Sequence, residues 1–321
     1  MRLILLIFIS ILVFGCNNKS EKVPQDDRQV KIPSFNADSA YTYIAKQLDF
    51  GPRRMNSQAH EECKNWLAQK LGEHGFDVEL QEFEAMAYNN ELLKATNIHG
   101  IYNPEVEERV LLCAHYDTRH IADKDDQREE EPIDGADDGA SGVAVLIEMA
   151  RLINEANIPM GIDIVFFDAE DHGSDKPNQD YTWGLGSQYW AKEIRKSDYK
   201  YKYGILLDMV GAKNATFRKE GFSMASAKHE VDQIWNLAKQ MGKDRYFVDS
   251  KTGYITDDHR FIIENARIPM VDIINIQQNG AFGFYHHRHS DNIDVIDLQT
   301  LAAVGQVVTA YVFRESNKQN K

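Results

Sequence analysis

Four short apolar runs, residues 110–115, 162–167, 203–208 and 269–274, constrain this chain most, because each suits one strand and is too continuous to leave a face in water. Segments of helical period separate them. One covers residues 143–153, a second lies near 187–194, a third spans 226–241, and a fourth opens at Thr256-Asp257-Asp258-His259. A last helix is expected over 298–313. Buried strands alternating with amphipathic helices imply an α/β fold, with a mostly parallel central sheet and helices on both faces. Ahead of this pattern, helices are expected over 37–48, stopped by Pro52, and over 57–74, stopped by Gly75. Strands follow over 78–84 and 94–102.

With 321 residues and 43% hydrophobic content, residues 36–321 are read as one domain with a substantial core. A formal charge of -14 argues against nucleic acid and against a basic membrane-docking face. Residues 1–15 read as a signal peptide, with Arg2 ahead of an apolar stretch too short to span a bilayer comfortably. Val13-Phe14-Gly15-Cys16 resembles a bacterial lipobox. It implies acylation of Cys16, a polar linker over 16–35, and an exported lipoprotein of the cell envelope that touches the membrane through its lipid anchor alone. Ordinary signal cleavage and release is the alternative. Cys63 and Cys113 remain; two cysteines on a chain this size are no disulfide scaffold, and buried free thiols are the simple expectation.

In sheets of this kind ligands bind beyond the carboxyl ends of the strands. His115, Glu170, Asp171 and Asp208 all fall just past such ends, and Asp138, in Gly135-Ala136-Asp137-Asp138-Gly139-Ala140-Ser141-Gly142, is expected to cap the helix that follows. Imidazole and carboxylate donors at one sheet edge suit zinc, which takes tetrahedral ligands and keeps a catalytic position open. Taken singly, each has a plainer reading as a core histidine or a helix cap. The acidic segment 119–134 reads as a solvated loop without the ligand spacing of a calcium site.

His115-Tyr116-Asp117-Thr118, the Gly135 to Gly142 stretch, Phe166-Phe167-Asp168-Ala169-Glu170-Asp171, Leu206-Leu207-Asp208-Met209-Val210-Gly211 and the late pair His287 and Asp291 resemble the zinc aminopeptidase superfamily. The resemblance covers nearly all of the chain after the linker and implies the zinc aminopeptidase-like (phosphorylase/hydrolase-like) fold. Asn214-Ala215-Thr216-Phe217, Arg245-Tyr246-Phe247 and Ile255-Thr256-Asp257-Asp258-His259 are similar to glutaminyl cyclases, the branch that turns N-terminal glutamine of peptides or proteins into pyroglutamate with release of ammonia. Carried over, Asp138, Asp171 and His287 would hold one zinc ion, Glu170 would shuttle the proton, and Asp208 and Asp257 would form an acidic network beside it. The vertebrate-type cyclases carry glutamate where Asp171 stands, glutamine at Thr256 and tryptophan at His286.

Trp183, Ile255 and Tyr285, on loops flanking these positions, are expected to bind substrate, with Phe282 and Phe284 as further candidate walls. The same inventory also suits a di-zinc aminopeptidase, in which His115 and Asp208 complete a second metal position and Asp138 bridges. In the cyclase reading His115 stands behind the ligands. A catalytically inactive scaffold relative is a third class, disfavoured by the paired acids Glu170 and Asp171.

Overall fold

The computed structural model describes residues 31–319. The signal peptide, Cys16 and most of the proposed linker lie outside them. Two helices come first, α1 (Ala37–Asp49) and α2 (Gln58–Glu73), capped by Asn36 and Ser57, whose side-chain oxygens accept from free amides of the first turn. A hairpin follows, of β1 (Asp77–Met86) and β2 (Leu92–Tyr102). The remaining chain runs through β3 (Glu108–His115), α3 (Ala140–Ala156), β4 (Gly161–Phe167), α4 (Leu185–Ile194) and β5 (Lys200–Asp208). It continues with β6 (Phe217–Lys219), α5 (Gly221–Ser226), α6 (Lys228–Gln240), β7 (Phe247–Lys251), α7 (Asp258–Ala266), β8 (Met270–Ile274) and α8 (Leu298–Gln319).

Six strands form one sheet in the order β1-β2-β4-β3-β5-β8. The central β4, β3, β5 and β8 are parallel, while β1 and β2 join antiparallel at one edge. Alternation along the strands sorts the core into two faces. Val110, Leu112 and Ala114 of β3, Ile162, Ile164 and Phe166 of β4, and Val271 and Ile273 of β8 pack with α1, α2, α3, α6 and α8. Leu111, Cys113, Val165, Phe167, Leu206 and Met270 pack the other way, against α4 and α7. Both cysteines are buried and free, and burial pushes the Cys63 thiol up to about 12, which leaves it inert.

Register sets where the chemistry can lie. His115 pairs with Phe167, and Asp208 with Ile274, so all four parallel strands end along one edge. One expectation needs correction, and two features were not foreseen. The helix expected over 226–241 is α6, while the short α5 ahead of it was not foreseen; Ala227, at φ -133°, separates the two. The β6-β7 pair, in which β6 has only 3 residues, was too short to show a strand period. Segment 119–134 is not simply solvated: Arg119, Ala122 and Ile133 are buried.

Candidate metal centre and pocket

The turn before α3 brings Asp138 to the sheet edge, but not as the cap expected from sequence. Gly139 takes that position at φ 95°, and a Cβ there would stand 2.9 Å from the Asp117 carbonyl oxygen and 3.1 Å from the His115 ring. Asp138 is one residue earlier, aimed by a brace: the two carboxylate oxygens of buried Asp291 accept from the amides of Asp137 (2.8 Å) and Asp138 (3.0 Å). A second brace holds the turn after β4. Both oxygens of buried Asp117 accept from the amides of Glu170 and Asp171, each at 3.1 Å. Left-handed backbone at Ala169 (φ 52°), Met209 (φ 48°) and His287 (φ 58°) bends the chain beside these groups, the kind of strain that surrounding contacts must hold in place.

These turns bring the proposed ligands together. His287 Nε2 lies 3.1 Å from Asp171 Oδ1 and 3.9 Å from Asp138 Oδ2. Tetrahedral donors bound at zinc distances stand about 3.3–3.6 Å apart, a spacing His287 Nε2 keeps to within a few tenths of an ångström from each carboxylate, while Asp138, His286 and His287 also form a cluster able to hold a divalent ion. Asp138 Oδ2 and Asp171 Oδ2 are buried without a hydrogen-bond partner, which suits donors reserved for a cation. His287 Nδ1 is 3.3 Å from Asp123 Oδ1, and Arg119 binds both Asp123 and the Asp171 carbonyl. Burial works to raise the Asp123 carboxyl, but hydrogen bonds from His287 and Arg119 hold it well below its ordinary value.

Glu170, Asp208 and Asp257 line the same cavity, of about 390 Å³, beside the ligand trio. Asp257 arrives as the cap of α7, its carboxylate accepting from the Asp258 amide. Burial, with neighbouring carboxylates, pushes Glu170 and Asp208 well above the usual carboxylate range and Asp257 upward. His115 closes the far corner, with Nε2 3.1 Å from Asp138 Oδ1 and 3.3 Å from Asp208 Oδ1. His115, Asp138 and Asp208 therefore form a second cluster able to hold a divalent ion.

Trp183, Ile255 and Phe282 line the cavity as expected. A row of planar groups runs through it: Phe282 on His286 at 4.4 Å, His286 on His287 at 3.8 Å, Trp183 on His287 at 5.8 Å, and the Arg119 guanidinium over Trp183 at 4.7 Å. Tyr285 is a correction. It is 2% exposed, and its hydroxyl donates to Asp137 and accepts from Asn275, so it braces the floor from behind rather than meeting substrate. Phe284 points out, 78% exposed. Sequence reasoning missed Asp123 and Lys124 inside the apparently solvated loop; the Asp117 brace lay within a quoted motif without a role.

Residues 97–312 match the model of peptidase family M28. Among solved structures, the chain is similar to Bacteroides thetaiotaomicron glutaminyl cyclase bound to N-acetylhistamine, at 45% identity and a TM-score of 0.86. It is also similar to Tannerella forsythia glutaminyl cyclase, at 47% and 0.83, and to a leucine aminopeptidase precursor from Bacteroides thetaiotaomicron, at 45% and 0.85. Each comparison covers 88% of this chain and 99% of the other. A glutaminyl-peptide cyclotransferase from Drosophila melanogaster is 24% identical over 284 residues, covering 81% of this chain and 76% of its own. The ligand trio, its braces and these likenesses lead to one conclusion: the chain belongs to peptidase family M28, among relatives that include bacterial glutaminyl cyclases.

Proposed function

We propose that this protein is a zinc-dependent glutaminyl-peptide cyclotransferase, converting N-terminal glutamine of peptides or proteins to pyroglutamate and ammonia. The observation that carries the reading is that Glu170, Asp208 and Asp257 face the same cavity as Asp138, Asp171 and His287. A hydrolase needs one acid to activate water; a third carboxylate delivered by the Thr256 to His259 stretch suits orienting an amine and a departing ammonia. The likeness to two glutaminyl cyclases at 45% and 47% identity supports it.

Zinc, when bound by Asp138, Asp171 and His287, supplies Lewis-acid polarisation of the side-chain amide carbonyl. Glu170 accepts a proton from the α-amine as that nitrogen bonds to the amide carbon, and returns it to the nitrogen that leaves as ammonia. Asp208 and Asp257 hold the nitrogen groups in line. Attack within one residue gains much from proximity, with effective molarities reaching about 10⁵–10⁸ M in favourable systems. Trp183 and Ile255 line the walls, and because the attacking nitrogen belongs to the substrate the reaction needs no activated water.

The test offers a peptide beginning in glutamine and a leucine arylamide. Ammonia from the first without arylamine from the second supports the reading, and arylamine release would overturn it. The second reading, a di-zinc aminopeptidase, rests on the His115, Asp138 and Asp208 cluster. We expect one zinc per chain after dialysis, whereas that reading requires two.

Residues 36–321 are read as one catalytic domain behind a lipoprotein signal (1–15) and a tether (16–35) that would hold it at the cell envelope; Arg2, the apolar stretch and Val13 to Cys16 support this. No helix of the described residues is long and apolar enough to cross a membrane. Palmitate labelling that disappears in Cys16→Ala tests the anchor.

A further inference from the structure

The stacked pair His286 and His287 presents two imidazoles to one carboxylate oxygen: each Nε2 lies 3.9 Å from Asp138 Oδ2. Their distances to Asp138 do not distinguish them, although His287 Nε2 also lies 3.1 Å from Asp171 Oδ1. Their other ring nitrogens do, because these meet partners of opposite character. Both His287 nitrogens face carboxylates, Nδ1 that of Asp123 at 3.3 Å and Nε2 that of Asp171 at 3.1 Å, so a metal held with Asp171 would take the Nε2 lone pair and leave the proton on Nδ1 toward Asp123. His286 Nδ1 faces the Lys124 ammonium at 2.7 Å, a donor only, so Nδ1 must accept and the ring proton sits on Nε2. His287 stacks on the His286 ring at 3.8 Å and Phe282 packs tilted against it at 4.4 Å, and His286 lines the cavity.

We propose that His286 is not a metal ligand but a neutral hydrogen-bond donor of the reaction, its Nε2–H aimed at the substrate's side-chain carbonyl oxygen, with Lys124 as the positioning residue that fixes the tautomer. As the α-amine nitrogen bonds to the amide carbon, the carbonyl π pair moves onto that oxygen; when the pair returns, the carbon–nitrogen bond breaks and ammonia leaves with the proton from Glu170. A donor already oriented toward the oxygen strengthens as the charge grows, which lowers the barrier rather than tightening ground-state binding. The inference rests on the cyclase reading for its substrate, but not for its tautomers.

Two measurements test it. In zinc-free protein labelled with ¹⁵N-histidine, long-range ¹H–¹⁵N spectra, assigned by loss of one ring's signals in His286→Phe, should show a protonated, pyrrole-type Nε2 and a bare Nδ1 for His286. Lys124→Met should relax the His286 preference, and Lys124→Arg should keep it. A bare Nε2 on His286 in the wild type overturns the proposal. In ammonia-release kinetics, His286→Phe should lower kcat by about 10²-fold with KM changed less than threefold and zinc content unchanged, and His286→Asn, which keeps a donor, should recover part of the loss. Loss of zinc in His286→Phe would make His286 a ligand and overturn the proposal, as would unchanged kcat. Wild-type protein that releases no ammonia would instead sink the cyclase reading and, with it, the catalytic half of this inference, even where the tautomers are as assigned.

Discussion

Nδ1 of His287 stands 3.3 Å from Oδ1 of Asp123, so a residue from an acidic surface loop orients the imidazole proposed to bind zinc. Partners of this kind fix the ring and raise its basicity, and their loss commonly weakens metal binding 10–100-fold. Asp123→Ala should therefore weaken zinc affinity by about that factor with the circular dichroism spectrum unchanged. Titration against a competing chelator measures it, and an affinity within twofold of wild type would show that the loop contact is incidental.

Glu170→Gln keeps the shape of the side chain and removes its ability to accept a proton. With the cavity and the three ligands intact, kcat for ammonia release should fall by about 10²–10⁴-fold, while zinc content stays at the wild-type level. Residual activity within tenfold of wild type would move the proton transfer to Asp208 or Asp257.

Asp117 carries a structural charge beneath the same turn. Asp117→Ala leaves the amides of Glu170 and Asp171 buried without their acceptors, and should lower stability by about 2–5 kcal/mol. Urea unfolding of zinc-free protein reads this directly. A loss below about 1 kcal/mol would mean that the turn finds other acceptors.

Glu220 gives the fold a pH dependence away from the metal ligands. It caps α5, accepts from the Ile255 amide at 3.0 Å, and meets His259 Nε2 at 3.1 Å. Burial opposes its charge, but the His259 contact and the amide hydrogen bonds hold its carboxyl down at about 2. A depressed acid stabilises the folded state above its unfolded value, near 4.5, and loses that contribution as pH falls through about 2. The stake is about 3 kcal/mol. Wild type should lose stability relative to Glu220→Gln between these two pH values, and parallel stability curves would refute the assignment.

The strands were legible because each buried run is largely apolar on both faces; β3, β4, β5 and β8 lie close to where the apolar runs placed them. Glu170, Asp171 and Asp208 were legible for the same reason, since a carboxylate just after such a run emerges at the sheet edge, whereas Asp138 was read from a helix start and Asp257 from the resemblance. Asp123 and Lys124 were not, because a charged residue in a polar loop gives no local sign that the loop folds back onto a site. Tyr285 misled in the opposite direction: an aromatic beside a ligand looks like a wall, and only the hydroxyl contacts with Asp137 and Asn275 show it facing inward. The short α5, only 6 residues long, gave too few turns for a helical period to show.

The brace from Asp291 to the amides of residues 137 and 138 has a consequence for biosynthesis. The grip on the Asp138 turn is translated 153 residues after the turn itself, so a ribosome-bound chain stalled before that stretch has its acids in place but no hold on them. Binding of the ion at this turn is therefore expected only of chains that include the stretch carrying His287 and Asp291.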